Sequence, residues 1–106
     1  MTRETSFPIN NKAQVGLLSV KINLPGCSSL KEKRSRLQPM LLRLRKYFNA
    51  GIAETALHDL HQSSWISCVI VSTEWRYIQL TCEEIIRYIK THFPDEIIEE
   101  RCLEQR

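Results

Sequence analysis

The sequence has few of the features that build enzyme sites or membrane spans. Its 106 residues include only three glycines, and no glycine-rich phosphate loop, G-x-S-x-G turn or C-x-x-C pair occurs. No hydrophobic run reaches membrane-spanning length, and the first residues lack the apolar middle of a signal peptide. We therefore expect a cytoplasmic protein with no membrane partner, no catalytic activity and no cofactor.

Four cysteines are scattered without a metal-ligand spacing. Cys68 and Cys82 lie among apolar residues, as buried thiols do in a reducing compartment. No histidine is placed beside a cysteine in a pattern that would activate it. The sequence predicts free thiols and neither disulfides nor a metal site.

Alternation and turn signals predict the strands of a single domain, residues 14–104, after a loose polar arm of residues 1–13. The first strand starts at Val15, and Pro25-Gly26 ends it. A weaker strand covers "GIAETALHD", residues 51–59, and "SWISCVIVS", residues 64–72, is apolar on both faces. "EIIEERCLE", residues 96–104, has the charged outer face of an edge strand.

Two helices separate these strands. Ser29 and Glu32 fit an S-x-x-E capping box, which begins the first helix. Pro39 interrupts that helix, and we predict a kink near Gln38 because the apolar stripe continues in phase across it. The stripe of this helix is Leu30, Leu37, Leu41, Leu44 and Phe48. The second helix is predicted to start at a Ser72 or Thr73 cap, to end before Pro94 and to bury Ile78, Cys82, Ile85, Ile89 and Phe93.

The order strand, helix, strand, strand, helix, strand predicts a ferredoxin-like α+β sandwich. Strands one and three would be central in a four-stranded antiparallel sheet, with both helices on one face. The other face would need cover from solvent, RNA or a second copy. This open face predicts a homodimer. The prediction is supported by three aromatic residues that fall partly off the apolar stripe of the second helix, Trp75, Tyr77 and Tyr88.

Positive charge is concentrated in the first helix. The net charge is only +3, yet residues 31–46 hold seven cations and one acid, Glu32. Cations in the first turns of a helix are unfavourable, because the free N–H groups there already carry partial positive charge. A solvated helix face is the plain interpretation, and a phosphate-binding surface is the functional one. The candidate phosphate contacts are Ser28, Ser29, Lys31, Lys33, Arg34, Arg36, Arg43 and Lys46.

The predicted sheet offers little for reading bases. The first strand has no aromatic residue, Trp65 stands near the start of the third, and no K/R-G-F/Y-G/A-F signature is present. Recognition of backbone and shape by the first helix fits structured RNA, such as ribosomal RNA, better than a short sequence motif. His58, Asp59 and His61 lack a third ligand at a recognised spacing, so they indicate a surface turn.

Three segments carry a resemblance to a known family. "VGLLSVKINLPGCSSLKEKRSRL", "LRLRKYFNAGIAE" and "HDLHQSSWISCVIVS" are similar to the YlxP-like proteins, small bacterial proteins without an established activity. The S-L-K-x-K-R element at Ser29–Arg34 is the most specific match. Pro39 and His61 depart from the family pattern. The resemblance implies a ferredoxin-like fold and a genomic association with translation and ribosome-assembly factors.

These observations lead to two hypotheses of different kinds. The first is a non-enzymatic accessory factor that binds structured RNA or the small ribosomal subunit through the first helix. The alternative is a homodimeric protein-interaction module that binds no nucleic acid.

Overall fold

Four strands and two helices follow one another in the predicted order. The computed structural model describes residues 11–106; most of the predicted arm, residues 1–13, lies outside them. The elements are β1 (Gln14–Asn23), α1 (Leu30–Tyr47), β2 (Gly51–Ala56), β3 (Ser63–Ser72), α2 (Trp75–His92) and β4 (Ile97–Gln105).

The strands form one antiparallel sheet in the order β2-β3-β1-β4. β1 and β3 are central and β2 and β4 are the edges, so the predicted ferredoxin-like α+β sandwich is confirmed. In β1 the even-numbered residues Leu18, Val20 and Ile22 are buried beneath the helices. The odd-numbered residues lie on the opposite, open face of the sheet.

The helices bury the stripes that their periodicity predicts, with small differences. In α1 Met40 joins Leu37, Leu41 and Leu44 in the core, whereas Leu30 and Phe48 at its two ends are only partly buried. In α2 the predicted residues Ile78, Cys82, Ile85 and Ile89 are buried, and Phe93 is half-buried. Each fully buried aliphatic side chain contributes roughly 1.5–3 kcal/mol of transfer free energy.

A close approach between β1 and α2 depends on Gly16. A Cβ atom at this position would collide with Cγ2 of Ile78 and would also meet the side chains of Leu103 and Trp75. Glycine therefore lets the first turn of α2 lie directly on the sheet.

Two boundaries differ from the predictions. β2 ends at Ala56 and not at Asp59, because Leu57 adopts a left-handed backbone conformation with φ of 64° and turns the chain. The N-cap of α2 is Glu74, so the prediction of a Ser72 or Thr73 cap is wrong. The Ser72 hydroxyl instead accepts a hydrogen bond from the Glu74 N–H at 3.1 Å, in the turn before the helix.

Candidate nucleic-acid interface

The first turn of α1 is capped by its own side chains. Ser29 is the N-cap, and its hydroxyl accepts from the Glu32 N–H at 3.0 Å, as the capping box predicts. The Glu32 carboxylate in turn accepts from the Ser28 N–H at 2.7 Å. The neighbouring Cys27 thiol and the Ser28 N–H lower the pKa of Glu32. Glu32 therefore occupies the Ser28 N–H, which the sequence suggests as a phosphate donor.

Lys33 points into the protein and not toward solvent. It is only 3% exposed. Its Nζ donates to the carbonyl oxygens of Leu57 at 2.8 Å and Leu60 at 2.7 Å, and it lies 2.8 Å from Oε2 of Glu54. These three acceptors use all three ammonium donors, so Lys33 has none left for a phosphate.

The burial of Lys33 could have been predicted from its position in the sequence, although not from its charge. Lys33 precedes Leu37, Met40 and Leu44 by four, seven and eleven residues, so it falls within the apolar stripe of α1. What the sequence does not show is its partner, because Glu54 reaches it from β2. The Ser64 hydroxyl donates to the same carboxylate at 2.7 Å and completes the cluster.

Arg36 is also engaged within the fold. Its Nε donates to Oε1 of Glu96 at 2.8 Å, its second nitrogen lies 2.7 Å from the same oxygen, and Nη1 donates to the Pro25 carbonyl at 2.9 Å. The Glu96 side chain is 6% exposed. Arg36 thus neutralises a buried carboxylate and joins the start of α1 to the turn after α2.

Arg43 faces α2 across the seam between the two helices. Its guanidinium carbon lies 5.5 Å from the ring centre of Tyr88 and 5.3 Å from that of Phe93, and one nitrogen is 3.5 Å from Nδ1 of His92. Arg43 has no carboxylate partner within residues 11–106. Its charge is held in place by aromatic rings and is not neutralised.

The remaining predicted cations, Lys31, Arg34 and Lys46, are exposed on α1. None of the three forms an ion pair with any residue of the described part of the chain. Lys31 and Lys46 project on the side of α1 opposite its buried stripe, and Arg34 flanks them toward β2. Their contact with phosphate remains a prediction.

The helical layer carries further exposed cations on α2, together with the exposed acids Glu83 and Glu84. Arg76, Arg87 and Lys90 of α2 are exposed and have no ion pair among the described residues. Their positions off the apolar stripe of α2 are the sequence signal that would have found them. Arg45 of α1 is exposed too, and its Nε donates to the Ile52 carbonyl on the free edge of β2 at 2.9 Å. We name the exposed cations without ion pairs the helical basic face: Lys31, Arg34, Arg45, Lys46, Arg76, Arg87 and Lys90.

The opposite side of the molecule carries carboxylates, most of which are paired with cations. Glu104 of β4 lies beside Leu17 of β1, and Glu100 lies beside Lys21. Glu99 takes a hydrogen bond from the Asn23 amide at 2.7 Å and lies 3.6 Å from the Lys21 ammonium. Glu104 in turn lies 3.3 Å from the Arg106 guanidinium, so of these three carboxylates only Glu100 forms no ion pair among the described residues. The open sheet face and its β4 edge therefore carry less positive charge than the helical layer.

The histidines of the β2–β3 turn do not form a ligand cluster. His58 is 62% exposed, and its Nε2 lies 3.2 Å from the Glu54 carbonyl oxygen and 4.0 Å from Oε1 of that residue. Within residues 11–106 no group of three His, Cys, Asp or Glu side chains could hold a metal ion. His61 is exposed on the same turn, in line with the predicted surface turn.

The cysteines are free thiols, and three of the four are buried. Burial raises the pKa of Cys68 to about 12 and that of Cys82 to about 11. These thiols stay protonated at neutral pH, so neither is a nucleophile. No helix of residues 11–106 is both long and apolar enough to cross a membrane.

An antiparallel sheet with a basic helical layer on one side and an open face with mostly paired charges on the other defines a ferredoxin-like domain with a candidate surface for polyanions. Residues 15–102 match the DUF503 family, which is described as proteins of unknown function. The chain belongs to this family. No curated protein significantly matches it.

Proposed function

We propose that this domain is a non-enzymatic accessory factor that binds structured RNA, such as that of the small ribosomal subunit, through its helical basic face. The observation that carries the proposal is the separation of charge between the two layers. Exposed cations without ion pairs outnumber the exposed acids on α1 and α2, while on β4 Glu99 and Glu104 are paired with Lys21 and Arg106. A polyanion with regularly spaced phosphates complements such a surface.

The proposed contacts are fewer on α1 than its charge suggests. Lys33 and Arg36 neutralise Glu54 and Glu96 within the fold, so we leave them out of the RNA contacts. Of the predicted α1 contacts, Lys31, Arg34 and Lys46 are exposed and form no ion pair among the described residues, so their charge is free to meet phosphate. Ser29 contributes by starting the helix that presents them.

The open sheet face is the less suitable RNA surface. Trp65 of β3 is the one aromatic residue on its four strands, and it lies beside Lys21 and Ala56. Base stacking on two central strands, the usual route for this fold, would need more rings and fewer carboxylates.

The similarity to YlxP-like proteins supports a role in translation. It implies genes that lie near those for translation and ribosome-assembly factors. A cytoplasmic location follows from this proposal, because ribosome assembly takes place there.

The test is binding of fluorescent 16S rRNA fragments and of small ribosomal subunits across a salt series. The helix variant Lys31→Ala/Arg34→Ala/Lys46→Ala takes the net charge from +3 to zero. If its three cations contact phosphate, the log–log salt slope decreases by about 2 to 3 relative to wild type. Circular dichroism checks that the variant is folded.

A matched control variant distinguishes RNA binding by the helical basic face from a general effect of net charge. Lys21→Ala/Arg101→Ala/Arg106→Ala removes the same charge from β1, β4 and the residue after β4, where each cation has a carboxylate partner. We expect this variant to bind like wild type. Equal weakening of both variants would contradict a helical binding face, and absence of binding by wild type at low salt would reject RNA as the partner.

A second candidate function is a homodimeric protein-interaction module. It is favoured by an apolar patch at one end of the open sheet face, where Val15 pairs with Val71 and Leu17 pairs with Val69. Val69 is 40% and Val71 57% exposed. A second copy placed on this patch would cover it.

A further inference from the structure

A cluster of aromatic rings fills the seam between α1 and α2. Tyr88 is at its centre, with ring centres 5.5 Å from Tyr47, 5.7 Å from Phe48 and 4.2 Å from His92. The Tyr88 hydroxyl is buried and has no hydrogen-bond partner among the described residues. Tyr88 is therefore held in the cluster by ring contacts and by the Arg43 guanidinium, without a hydrogen bond from its hydroxyl.

Tyr47 is the ring of this cluster that faces solvent. It occupies the last position of α1 and remains 59% exposed although it rests against Tyr88. The contact with Tyr88 limits the rotamers that Tyr47 can adopt. An exposed aromatic ring fixed in this way loses little conformational entropy when a flat partner stacks on it.

Cations surround the exposed ring. Lys46 Nζ lies 5.8 Å from the Tyr47 ring centre, and Arg43 is fixed over Tyr88. Arg87 lines a shallow depression of about 210 Å³ beside Tyr88, in which Glu84 is the one acid. Tyr47 thus combines a largely exposed ring, over which Lys46 lies, with positive charge that lacks carboxylate partners in residues 11–106.

We propose that Tyr47 is a stacking site for an unpaired nucleotide of the RNA that the helical basic face binds; this inference rests on the proposed function. The base stacks on the exposed part of the Tyr47 ring, and Lys46 and Arg43 attract the flanking phosphates. An aromatic ring beside cations is the combination that proteins use to hold single-stranded nucleic acid. A fully paired A-form duplex offers no free base face for such a contact.

This inference adds a specificity that charge alone does not give. The helical basic face attracts any phosphate backbone, paired or unpaired. Tyr47 selects RNA in which a loop, bulge or end leaves a base free. Recognition by this domain then depends on both the phosphate backbone and the unpaired bases of the RNA.

Two RNA probes with equal numbers of phosphates test the site. One is a fluorescent hairpin with an unpaired, adenosine-rich loop, and the other is a blunt RNA duplex. Tyr47→Ala weakens hairpin binding by roughly 5- to 150-fold, the effect of losing one stacked base. Duplex binding and the salt slope stay at the wild-type values, because the cations are unchanged.

Two further variants control for structure and for tyrosines in general. Tyr47→Phe keeps the ring and is expected to bind the hairpin like wild type. Tyr77→Ala removes another exposed tyrosine, 51% exposed, which has no ring or cation partner among residues 11–106. We expect it to bind both probes normally. Thermal unfolding followed by circular dichroism confirms that each variant is folded.

The results separate this inference from the proposed function. If Tyr47→Ala binds both RNAs like wild type with a steep salt slope, stacking at Tyr47 is overturned and the helical basic face stands. Equal weakening of hairpin and duplex binding also overturns stacking. If wild type binds neither RNA at low salt, both proposals fail; binding to polyglutamate that Tyr47→Ala leaves unchanged then points to an acidic protein partner.

Discussion

Lys33 shows how one residue can have two opposite interpretations. By charge it belongs to a basic surface, and by position it belongs to the core stripe of α1. In the structure the position decides, because Glu54 and two backbone carbonyls replace the water that a buried ammonium loses. The Lys33 hydrogen bonds to the Leu57 and Leu60 carbonyls also tie α1 to the β2–β3 turn, in which Leu57 holds an unfavourable left-handed backbone conformation.

Removing the charge of Lys33 is therefore expected to destabilise the fold. Lys33→Met leaves the Glu54 carboxylate without its cation and the carbonyls of Leu57 and Leu60 without a donor. We expect the free energy of unfolding to fall by about 3 kcal/mol or more. Urea unfolding measures it, with Lys31→Met as the matched control, because Lys31 is exposed and an exposed substitution stays within about 0.5 kcal/mol. Equal stability of the two variants would contradict a structural role for Lys33.

The Lys33–Glu54 ion pair also predicts how the stability difference between wild type and Lys33→Met depends on pH. Partial burial acts to raise the pKa of Glu54, but hydrogen bonds from Lys33 and Ser64 and the Lys33 charge outweigh it, so the pKa is lowered. A carboxyl with a lowered folded-state pKa contributes stability above its ordinary value of about 4.3, and this contribution is lost as the pH falls through the folded-state pKa. The difference in the free energy of unfolding between wild type and Lys33→Met should therefore be largest at neutral pH and decrease below a pH of about 4.

At the scale of elements, α1 runs without a break from Leu30 to Tyr47 although Pro39 lies inside it. Pro39 deprives the Ser35 carbonyl of its usual helical N–H donor. Both residues are exposed, so water can hydrogen-bond to that carbonyl and reduce the cost. The prediction that Pro39 does not end the helix is confirmed, and the kink near Gln38 stays a prediction.

Replacing Pro39 should stabilise the helix. Pro39→Ala restores the missing N–H donor and removes the ring from the helical interior, so we expect a gain of about 1 to 3 kcal/mol. Thermal unfolding measures it, with Gln38→Ala as an exposed neighbour expected to change stability by less than about 0.5 kcal/mol. A loss of stability in Pro39→Ala would mean that the proline bends α1 to fit the sheet.

At the scale of the whole molecule, the two sides of the sheet present different chemistry. The helical layer is basic, whereas the open face combines small and polar side chains with an apolar patch around Val69 and Val71. A depression of about 370 Å³ between Trp65 and Cys102 crosses this face. The predicted dimer contacts on α2 are weaker, because Trp75 and Tyr88 are half-buried within the fold and only Tyr77 is exposed.

Because the faces are opposed, dimerisation and RNA binding should be separable. If the open face pairs two copies, Val69→Asp/Val71→Asp places two charges in the interface and converts dimers to monomers in sedimentation velocity runs. The salt slope of RNA binding should remain that of wild type, since the helical basic face is untouched. A wild-type chain that sediments as a monomer at high concentration would reject the dimer.

Local sequence patterns are sufficient to predict the element order and the sheet topology. Alternation in β1 and β3, the Ser29 cap and the two apolar stripes are local patterns, and each depends on neighbours within a few residues along the chain. The resulting strand order follows from topology rules that need no side-chain detail. The errors at the end of β2 and the start of α2 also have local causes. Leu57 turns the chain before the predicted end of β2, and Glu74 is the N-cap of α2.

Which cations remain without an ion pair depends on contacts between elements that are distant in the chain. Lys33 meets Glu54 across 21 positions and Arg36 meets Glu96 across 60, and no local pattern in the sequence joins such distant residues. The same holds for Tyr47, whose support comes from Tyr88 on the other helix. Ion pairs and ring contacts between distant residues depend on how the elements pack. The residues of the helical basic face can therefore be identified only from the folded structure.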